Sequence, residues 1–168
     1  MPTFYYEATS TSSKWKANVP VGRSGSVAEG CGGINIAADL NDTEGAHSVD
    51  VDPEWILSKN PDYIFLDFHS GKSGPGKTEQ EVKDALQTMI QERANDGIGN
   101  VTAIRENHTY AIDYDFVCGP RWIVGHVCFA KWLHPDLFKD LDPEELNREF
   151  LKDFLGVEVE GTWVYPAP

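Results

Sequence analysis

The sequence predicts an α/β fold, a three-layer sandwich in which helices cover both faces of a mostly parallel central sheet. Strand-like and helix-like segments alternate along the 168 residues, and their connections are too long for hairpins. The segment "YIFLDF", residues 63–68, is apolar at five of its six positions, as in a parallel strand covered on both faces. No internal repeat or second-domain boundary interrupts this pattern, so we predict a single α/β domain over residues 1–168.

The first part of the chain predicts one strand and one short helix. "TFYYE", residues 3–7, is aromatic and suited to a strand. Residues 8–26 are polar and rich in Ser, Thr and Gly, which predicts a loop. A short helix over about residues 26–31 ends at Gly32-Gly33, because glycine favours the conformation that terminates a helix. A polar linker follows at residues 41–45.

The middle of the chain predicts a helix, a buried strand and a second helix. Asp52-Pro53 supplies an N-cap and a proline at the first helical position, and Asn60-Pro61 ends that helix. Residues 63–68 form the buried strand. The helix after Thr78 has its apolar residues on one face, at Val82, Leu86, Met89 and Ile90.

The last part predicts a strand, "TYAIDY" at residues 109–114, and two helices. Pro120 opens the first helix, whose residues available for burial are Ile123, Val127, Ala130, Trp132 and Leu133. Asp142-Pro-Glu-Glu145 is a capping box that begins the second. The apolar stripe of that helix is Leu146, Phe150, Leu151 and Phe154, and Gly156 ends it.

The charge of the chain excludes two classes of partner. Its 27 acidic and 14 basic residues give a net charge of −13. Such a surface repels nucleic acid and anionic lipid. The apolar runs are too short to span a membrane, and the first residues resemble no signal segment, so the chain is either cytoplasmic or lacks its leader.

Three cysteines, Cys31, Cys118 and Cys128, lie far apart and form no C-x-x-C pair that would bind zinc. We expect all three to be packing residues. If one disulfide forms, the pair is Cys31 and Cys128, because both lie on helices that can be neighbours on one sheet face, and Cys118 stays free.

Residues 71–78, "GKSGPGKT", match the phosphate-loop pattern G-x-x-x-x-G-K-[ST] between a strand and a helix. As a phosphate loop it would belong to a small nucleotide hydrolase or kinase, with Lys77 and Thr78 on the phosphates and Asp113 on magnesium. Against this, Pro75 has no N–H to offer a phosphate. Acidic residues in the first turn of the following helix would also repel a polyphosphate. The alternative is a polar loop that binds no nucleotide.

Several segments in order resemble one family. They are "EGCGGINIAADL", "VDVDPEWILSKNPDYIFLD", "IRENHTYAIDYDF" and "RWIVGHVCFAKWLHPDLFKDLDPEELNREFLKDFLG". They look like the C-terminal lobe of the solute-binding proteins of ABC importers that take up iron–siderophores, haem and cobalamin. The stretch "AKWLHPDLFKDLDPEEL" is the most specific, and the resemblance runs from about Thr3 to Pro166.

The resemblance implies two α/β lobes with a ligand between them, and the chain begins where the second lobe's first strand is expected. We therefore predict an isolated C-terminal lobe without its N-terminal lobe. The implied protein is extracytoplasmic and is not an enzyme, so it has no catalytic residue, resident metal or cofactor. Its partners are a metal chelate or macrocycle and the permease subunits, and it meets the membrane only through the transporter or a missing anchor.

Ligands of open α/β sheets meet the loops at the carboxyl ends of the strands, here residues 7–16, 68–77 and 114–121. His69 on the second loop is a candidate metal ligand or hydrogen-bond donor, or a plain loop residue. Trp15 on the first is either a ligand platform or a cover for the sheet edge.

The third loop carries four candidates. Tyr114 and Asp115 offer oxygen ligands for iron, and the aromatic rings of Tyr114 and Phe116 can stack on a macrocycle. The alternative for all three is loop packing. Arg121 begins a helix and favours a carboxylate or another anion, or else a surface ion pair with Asp113 or Asp115.

One acidic residue is a candidate for docking. The resemblance implies that each lobe offers an exposed carboxylate to arginines of the permease. In the second lobe this carboxylate is expected on the first helix. "SVAEGCGG" puts Glu29 at that place. The alternative is an ordinary solvated glutamate.

Overall fold

A computed structural model describes residues 1–9, 14–20, 23–40, 47–69 and 71–168. Its strands are β1 (Thr3–Glu7), β2 (Lys16–Asn18), β3 (Ile34–Asn35), β4 (Ser48–Asp50), β5 (Tyr63–Phe68), β6 (Gly74–Pro75), β7 (Thr109–Asp113), β8 (Gly161–Thr162) and β9 (Val164–Tyr165). Its α-helices are α1 (Arg23–Gly30), α2 (Pro53–Lys59), α3 (Glu79–Arg93), α4 (Thr102–Arg105), α5 (Trp122–Leu133) and α6 (Pro143–Leu155). A π-helical turn, Ala94–Ile98, extends α3, and a 3₁₀ turn, Tyr114–Phe116, follows β7.

The central sheet has the strand order β4-β2-β1-β5-β7-β9, with β3 also paired to β1. Its middle is parallel, because β5 lies between β1 and β7 and runs with both. The outer strands β2, β4 and β9 are antiparallel to their neighbours. Strands β6 and β8 form a separate two-stranded sheet. The predicted α/β fold with a mostly parallel sheet is confirmed.

Alternate residues of the central strands enter two different cores. Along β5, Phe65 faces a core built with α1, α5 and α6, whereas Ile64, Leu66 and Phe68 face a core built with α2, α3 and α4. Because the side chains of a strand alternate between faces, a strand covered on both sides must be apolar almost throughout. This explains the continuous apolar run in the sequence.

Most predicted elements are present, with differences at their ends. The first helix begins at Arg23, earlier than predicted, and the predicted loop 8–26 contains strand β2. The capping of α3 by Thr78 and of α6 by Asp142 places both helix starts as expected. The predicted linker at 41–45 lies outside the described residues.

Two predicted core residues are exposed instead. Ile123 of α5 is 42% exposed, because the buried face of that helix runs through Val124, Cys128 and Trp132. Phe154 of α6 is 75% exposed, and its ring contacts that of Phe150 in a tilted arrangement, at a centroid distance of 4.9 Å. It belongs to the last turn of α6, beyond Leu151, which is the buried anchor of that half of the helix.

The three cysteines are free thiols. Cys128 lies on the buried face of α5, and Cys31 packs against the same core, where its thiol donates to the backbone oxygen of His126 over 3.3 Å. Burial raises the pKa of both thiols, to about 11 for Cys31. Within the described ranges, no helix has the length and apolar character needed to cross a membrane.

Candidate ligand site at the carboxyl ends of the strands

The parallel strands β5 and β7 bring two predicted site residues into contact. Their carboxyl ends lie at the same edge of the sheet, with Phe68 paired to Asp113. His69 and Tyr114 are the next residue after each strand, and their ring centroids are 4.1 Å apart, with the ring planes inclined by 34°. Tyr114 is 40% exposed. The structure therefore joins two candidates that are far apart in the sequence.

The segment that carries Tyr114 is held by its neighbours on two sides. Asp113 caps the 3₁₀ turn, since its Oδ1 accepts from the backbone N–H of Asp115 over 3.0 Å. Helix α5 packs closely against the end of the turn at Gly125, where a Cβ would lie 1.9 Å from the backbone oxygen of Phe116. Only glycine permits that approach, so Gly125 fixes the turn against the helix.

A buried carboxylate lies beside the histidine. Asp67 of β5 is 1% exposed, and its Oδ1 accepts from the backbone N–H of Thr9 over 2.6 Å. The Thr9 hydroxyl donates to the backbone oxygen of Asp67 as well. The other carboxylate oxygen, Oδ2, lies 3.5 Å from Nε2 of His69. That nitrogen is buried and has no hydrogen-bond partner among the described residues.

Asp67 was not among the candidates predicted from the sequence. Its signal in the sequence is a single acidic residue inside an otherwise apolar strand, two positions before His69. Because side chains two apart on an extended chain point the same way, this spacing places the carboxylate and the imidazole on one side. A buried carboxylate is costly unless it has partners, so its presence in a central strand calls for one.

Arg121, Asp115 and Phe116 form a second, separate cluster. Arg121 is 8% exposed; its Nη2 donates to Oδ2 of Asp115 over 3.1 Å and its Nη1 to Oδ1 of the buried Asn147 over 2.9 Å. Its guanidinium carbon lies 5.0 Å from the ring centroid of Phe116 and 5.5 Å from that of Trp163. The structure thus favours the ion pair with Asp115 for Arg121 and packing for Phe116, which is 2% exposed.

Trp15 packs on the other face of the sheet, against the core that contains α3. Its ring centroid is 6.0 Å from the guanidinium carbon of Arg93. Arg93 in turn forms a buried ion pair with Glu7 at the end of β1, another pair that the sequence did not reveal. Trp15 therefore lies over this ion pair, and its role as a ligand platform or as a cover for the sheet edge stays a prediction.

Glu29 lies near the end of α1 and is partly buried. Burial raises the pKa of its carboxyl above the ordinary value. The permease-docking role of Glu29 stays a prediction.

The loop at residues 71–78 uses its backbone N–H groups within the protein. Those of the last three residues all have acceptors: Gly76 donates to the backbone oxygen of Glu160, Lys77 to that of Gly74, and Thr78 to Oε2 of Glu81. The side chains of Lys77 and Thr78 also contact Glu81, at 3.4 and 2.9 Å. A phosphate loop must point such groups at the nucleotide. Here the Thr78 group completes a helix cap, and the other two bond to the backbone of Glu160 and Gly74.

Asp113, the magnesium ligand of the nucleotide alternative, is likewise engaged. Its Oδ2 accepts from the hydroxyl of Ser73 over 2.6 Å, which fixes the loop to the end of β7. Burial raises the pKa of the Asp113 carboxyl. Within the described residues, no group of three or more His, Cys, Asp and Glu side chains is arranged to hold a metal ion.

Comparison with known proteins identifies the family. The sequence profile of the periplasmic binding protein family matches residues 2–115, more than half of the chain. The chain belongs to the periplasmic binding protein family. This confirms the resemblance found in the sequence. No curated protein sequence matches the chain.

Solved structures of other periplasmic binding proteins share the fold. The TroA-like protein FepB from Veillonella parvula is 24% identical, with a TM-score of 0.86 over 99% of this chain and 49% of its own. The molybdate-binding MolA from Haemophilus influenzae gives 18% identity and a TM-score of 0.67, over 95% of this chain and 43% of its own. CeuE from Helicobacter pylori, as a nickel–histidine complex, gives 18% identity and a TM-score of 0.65, over 94% of this chain and 45% of its own.

This periplasmic binding protein chain spans about half the length of the solved structures that it matches. Its α/β sandwich corresponds to a single lobe of such proteins. The similar structures carry different bound groups, molybdate in one and nickel with histidine in another. At these identities they establish the fold of this chain.

Proposed function

We propose that the chain is the C-terminal lobe of the extracytoplasmic solute-binding component of an ABC importer, and that its cargo is a metal chelate. The observation that carries the proposal is the contact of His69 with Tyr114, 4.1 Å between ring centroids, at the carboxyl ends of β5 and β7. In open α/β sheets that edge is where ligands bind. Membership of the periplasmic binding protein family and the half-length match to two-lobed structures support the same assignment.

The two side chains have the chemistry for a chelated metal. Imidazole nitrogen suits iron, nickel and copper, and a phenolate oxygen suits ferric iron. A metal that a chelator already surrounds needs few donors from the protein, and one nitrogen with one oxygen meets that need. Haem iron takes His or Tyr as an axial ligand too, so the cargo class is an iron chelate, haem or a corrinoid.

The direct test is a titration of the chain with ferric nitrilotriacetate. This chelator leaves iron positions open for a phenolate and an imidazole. We expect a visible phenolate-to-iron charge-transfer band that Tyr114→Phe abolishes and His69→Ala weakens. The matched controls are Tyr110→Phe and His108→Ala, which remove the same groups from the opposite end of the strands. No band, or a band that survives Tyr114→Phe, would contradict the proposal.

The second partner in the proposal is the permease. Charged pairs across a transient interface set orientation and encounter rate, and Glu29 on α1 is the carboxylate proposed for that role. We expect Glu29→Lys in the full receptor to lower import while chelate affinity stays unchanged. Glu149→Lys, an exposed acidic residue on α6, is the control. Unimpaired import by Glu29→Lys would remove Glu29 from the interface and leave the ligand site standing.

Nucleotide binding, the alternative raised by residues 71–78, predicts a different result. Because the loop's N–H groups are bonded to Glu160, Gly74 and Glu81, we expect ATP with magnesium to leave the melting temperature unchanged. A rise of several degrees that disappears in Lys77→Ala would overturn the receptor assignment.

A further inference from the structure

We infer that Asp67 is a positioning residue, which holds His69 in the tautomer with its proton on Nε2 and so presents Nδ1 to the metal chelate. The inference rests on the proposed function for the role of Nδ1. The tautomer itself is a property of the chelate-free chain. Asp67 does not contact the ligand in this scheme, since it is 1% exposed.

The geometry assigns the proton. Nε2 of His69 is a buried ring nitrogen, and Oδ2 of Asp67 lies 3.5 Å from it, too far or too inclined for a hydrogen bond but close enough for a strong electrostatic interaction. An unprotonated Nε2 would place its lone pair beside a carboxylate oxygen, whereas a protonated one places the positive end of an N–H dipole beside that negative charge. The carboxylate is therefore the feature that selects between the two neutral forms of the ring.

Asp67 is itself fixed, which makes it suited to this task. The backbone N–H of Thr9 donates to Oδ1 over 2.6 Å, and the Thr9 hydroxyl holds the backbone oxygen of the same residue. These two bonds orient the carboxylate and leave Oδ2 toward the histidine. A carboxylate that accepts from the distal nitrogen of a ligating histidine fixes the ring and raises its basicity.

The remaining nitrogen of His69 is the one available to a ligand. The side chain is 20% exposed although its Nε2 is buried, so solvent reaches the ring from the other side. The ring of Tyr114 lies against the imidazole at a centroid distance of 4.1 Å. The ring is thus supported by a carboxylate at one nitrogen and by a phenol along one face.

A purely structural role for Asp67 is the competing explanation, since its bonds to Thr9 tie the loop after β1 to β5. The readout that separates the two is the tautomer, which a loop anchor would not control. The matched control is Asp62→Asn. Asp62 accepts from Thr3 at the opposite end of the same strands, so it too is a carboxylate that fixes backbone and has no contact with His69.

The experiment measures the ring ¹⁵N shifts of His69 by long-range ¹H–¹⁵N correlation in the chelate-free chain, in mildly alkaline buffer where imidazoles are neutral. The wild type is expected to show the Nε2–H form. Asp67→Asn is expected to shift His69 toward a mixture of tautomers, and Asp62→Asn to leave it unchanged. A wild-type ring in the Nδ1–H form overturns the inference even if Asp67→Asn fails to fold, and so does an unaltered tautomer in Asp67→Asn.

The consequence for binding is measured separately with ferric nitrilotriacetate. Loss of a carboxylate behind a ligating histidine weakens metal affinity about 10- to 100-fold. We expect a loss of that size in Asp67→Asn, with the Tyr114 charge-transfer band retained at saturation. Unchanged affinity in Asp67→Asn overturns the positioning role. If the wild type binds no chelate, the proposed function fails, while the tautomer result still decides whether Asp67 orients His69.

Discussion

The ion pair between Glu7 and Arg93 allows a quantitative prediction about stability. Glu7 is 1% exposed and Arg93 3% exposed. The Arg93 Nε donates to Oε2 of Glu7 over 2.9 Å, Nη2 donates to Oε1, and Nη1 donates to the backbone oxygen of Met89 over 2.9 Å. The pair therefore ties the last turn of α3 to the end of β1 with the charges wholly out of water.

Replacement of Arg93 by Met leaves the Glu7 carboxylate buried and without its counter-ion. Breaking a buried pair in this way costs about 3–5 kcal/mol. Two charge-assisted hydrogen bonds at about 1.5–3 kcal/mol each give a similar figure. We expect urea unfolding, followed by tryptophan fluorescence, to show a midpoint lower by about 2 M, given a slope near 2 kcal/mol/M.

The double variant Glu7→Met with Arg93→Met tests the cause. Apolar replacement of a whole buried pair is often neutral, so we expect the double variant to unfold within about 2 kcal/mol of wild type. Lys14→Met, which removes an exposed pair with Asp96 in the same region, should leave the midpoint unchanged. A single Arg93→Met variant that loses less than about 1 kcal/mol, or a double variant as unstable as the sum of the singles, would refute the reasoning.

Three further predictions concern single groups. Because burial raises the pKa of Cys31 to about 11, iodoacetamide at about pH 8 should label this thiol much more slowly in the native than in the urea-unfolded chain, as mass spectrometry would show; equal rates would contradict this. Burial raises the pKa of Tyr110 to about 12, above the unfolded value of about 10, so stability should be intact below about pH 10 and fall as the pH rises toward 12. Tyr110→Phe should flatten that fall in the free energy of unfolding, and an identical pH profile would argue against it. Asp142→Ala should lower the free energy of unfolding by about 1 kcal/mol, because Asp142 Oδ1 accepts from the N–H groups of Glu144 and Glu145 at the start of α6. An unchanged free energy of unfolding would mean that solvent replaces the cap.

The sequence predicts those parts of the fold whose own residues show a hydrophobic pattern or a helix cap. Strand β5 is apolar almost throughout, and helices α3 and α6 begin at caps and repeat with the helical period. Strands β2 and β4 were not predicted, because each has three residues in a polar stretch. They are strands because β2 pairs with β1 and β4 with β2, and such pairing is a property of the folded chain.

In the candidate site, too, some features follow from the sequence and others depend on tertiary packing. Which loops reach the carboxyl edge follows from the order of parallel strands, and this placed His69 and Tyr114 correctly at that edge. Of the two partners of Arg121, Asp115 was one of the alternatives in the sequence, whereas Asn147 did not follow, because it comes from a helix whose position only tertiary packing sets. For the same reason residues 71–78 match the letters of a phosphate loop, while Glu160, remote in the sequence, takes one of its N–H groups.

The two buried carboxylates at the ends of β1 and β5 also act on strand pairing. Glu7 is in register with Leu66, so Asp67 is one position further along and on the opposite face of the sheet. If β5 slipped by one residue, Asp67 would turn to the α3 face and lie beside Glu7, and two carboxylates would compete for Arg93 in a space without water. The histidine would lose its neighbour at the same moment. The carboxylates of Glu7 and Asp67, which have separate partners in the native register, would therefore destabilise the slipped register. The same residues thus favour correct strand pairing and an intact candidate ligand site.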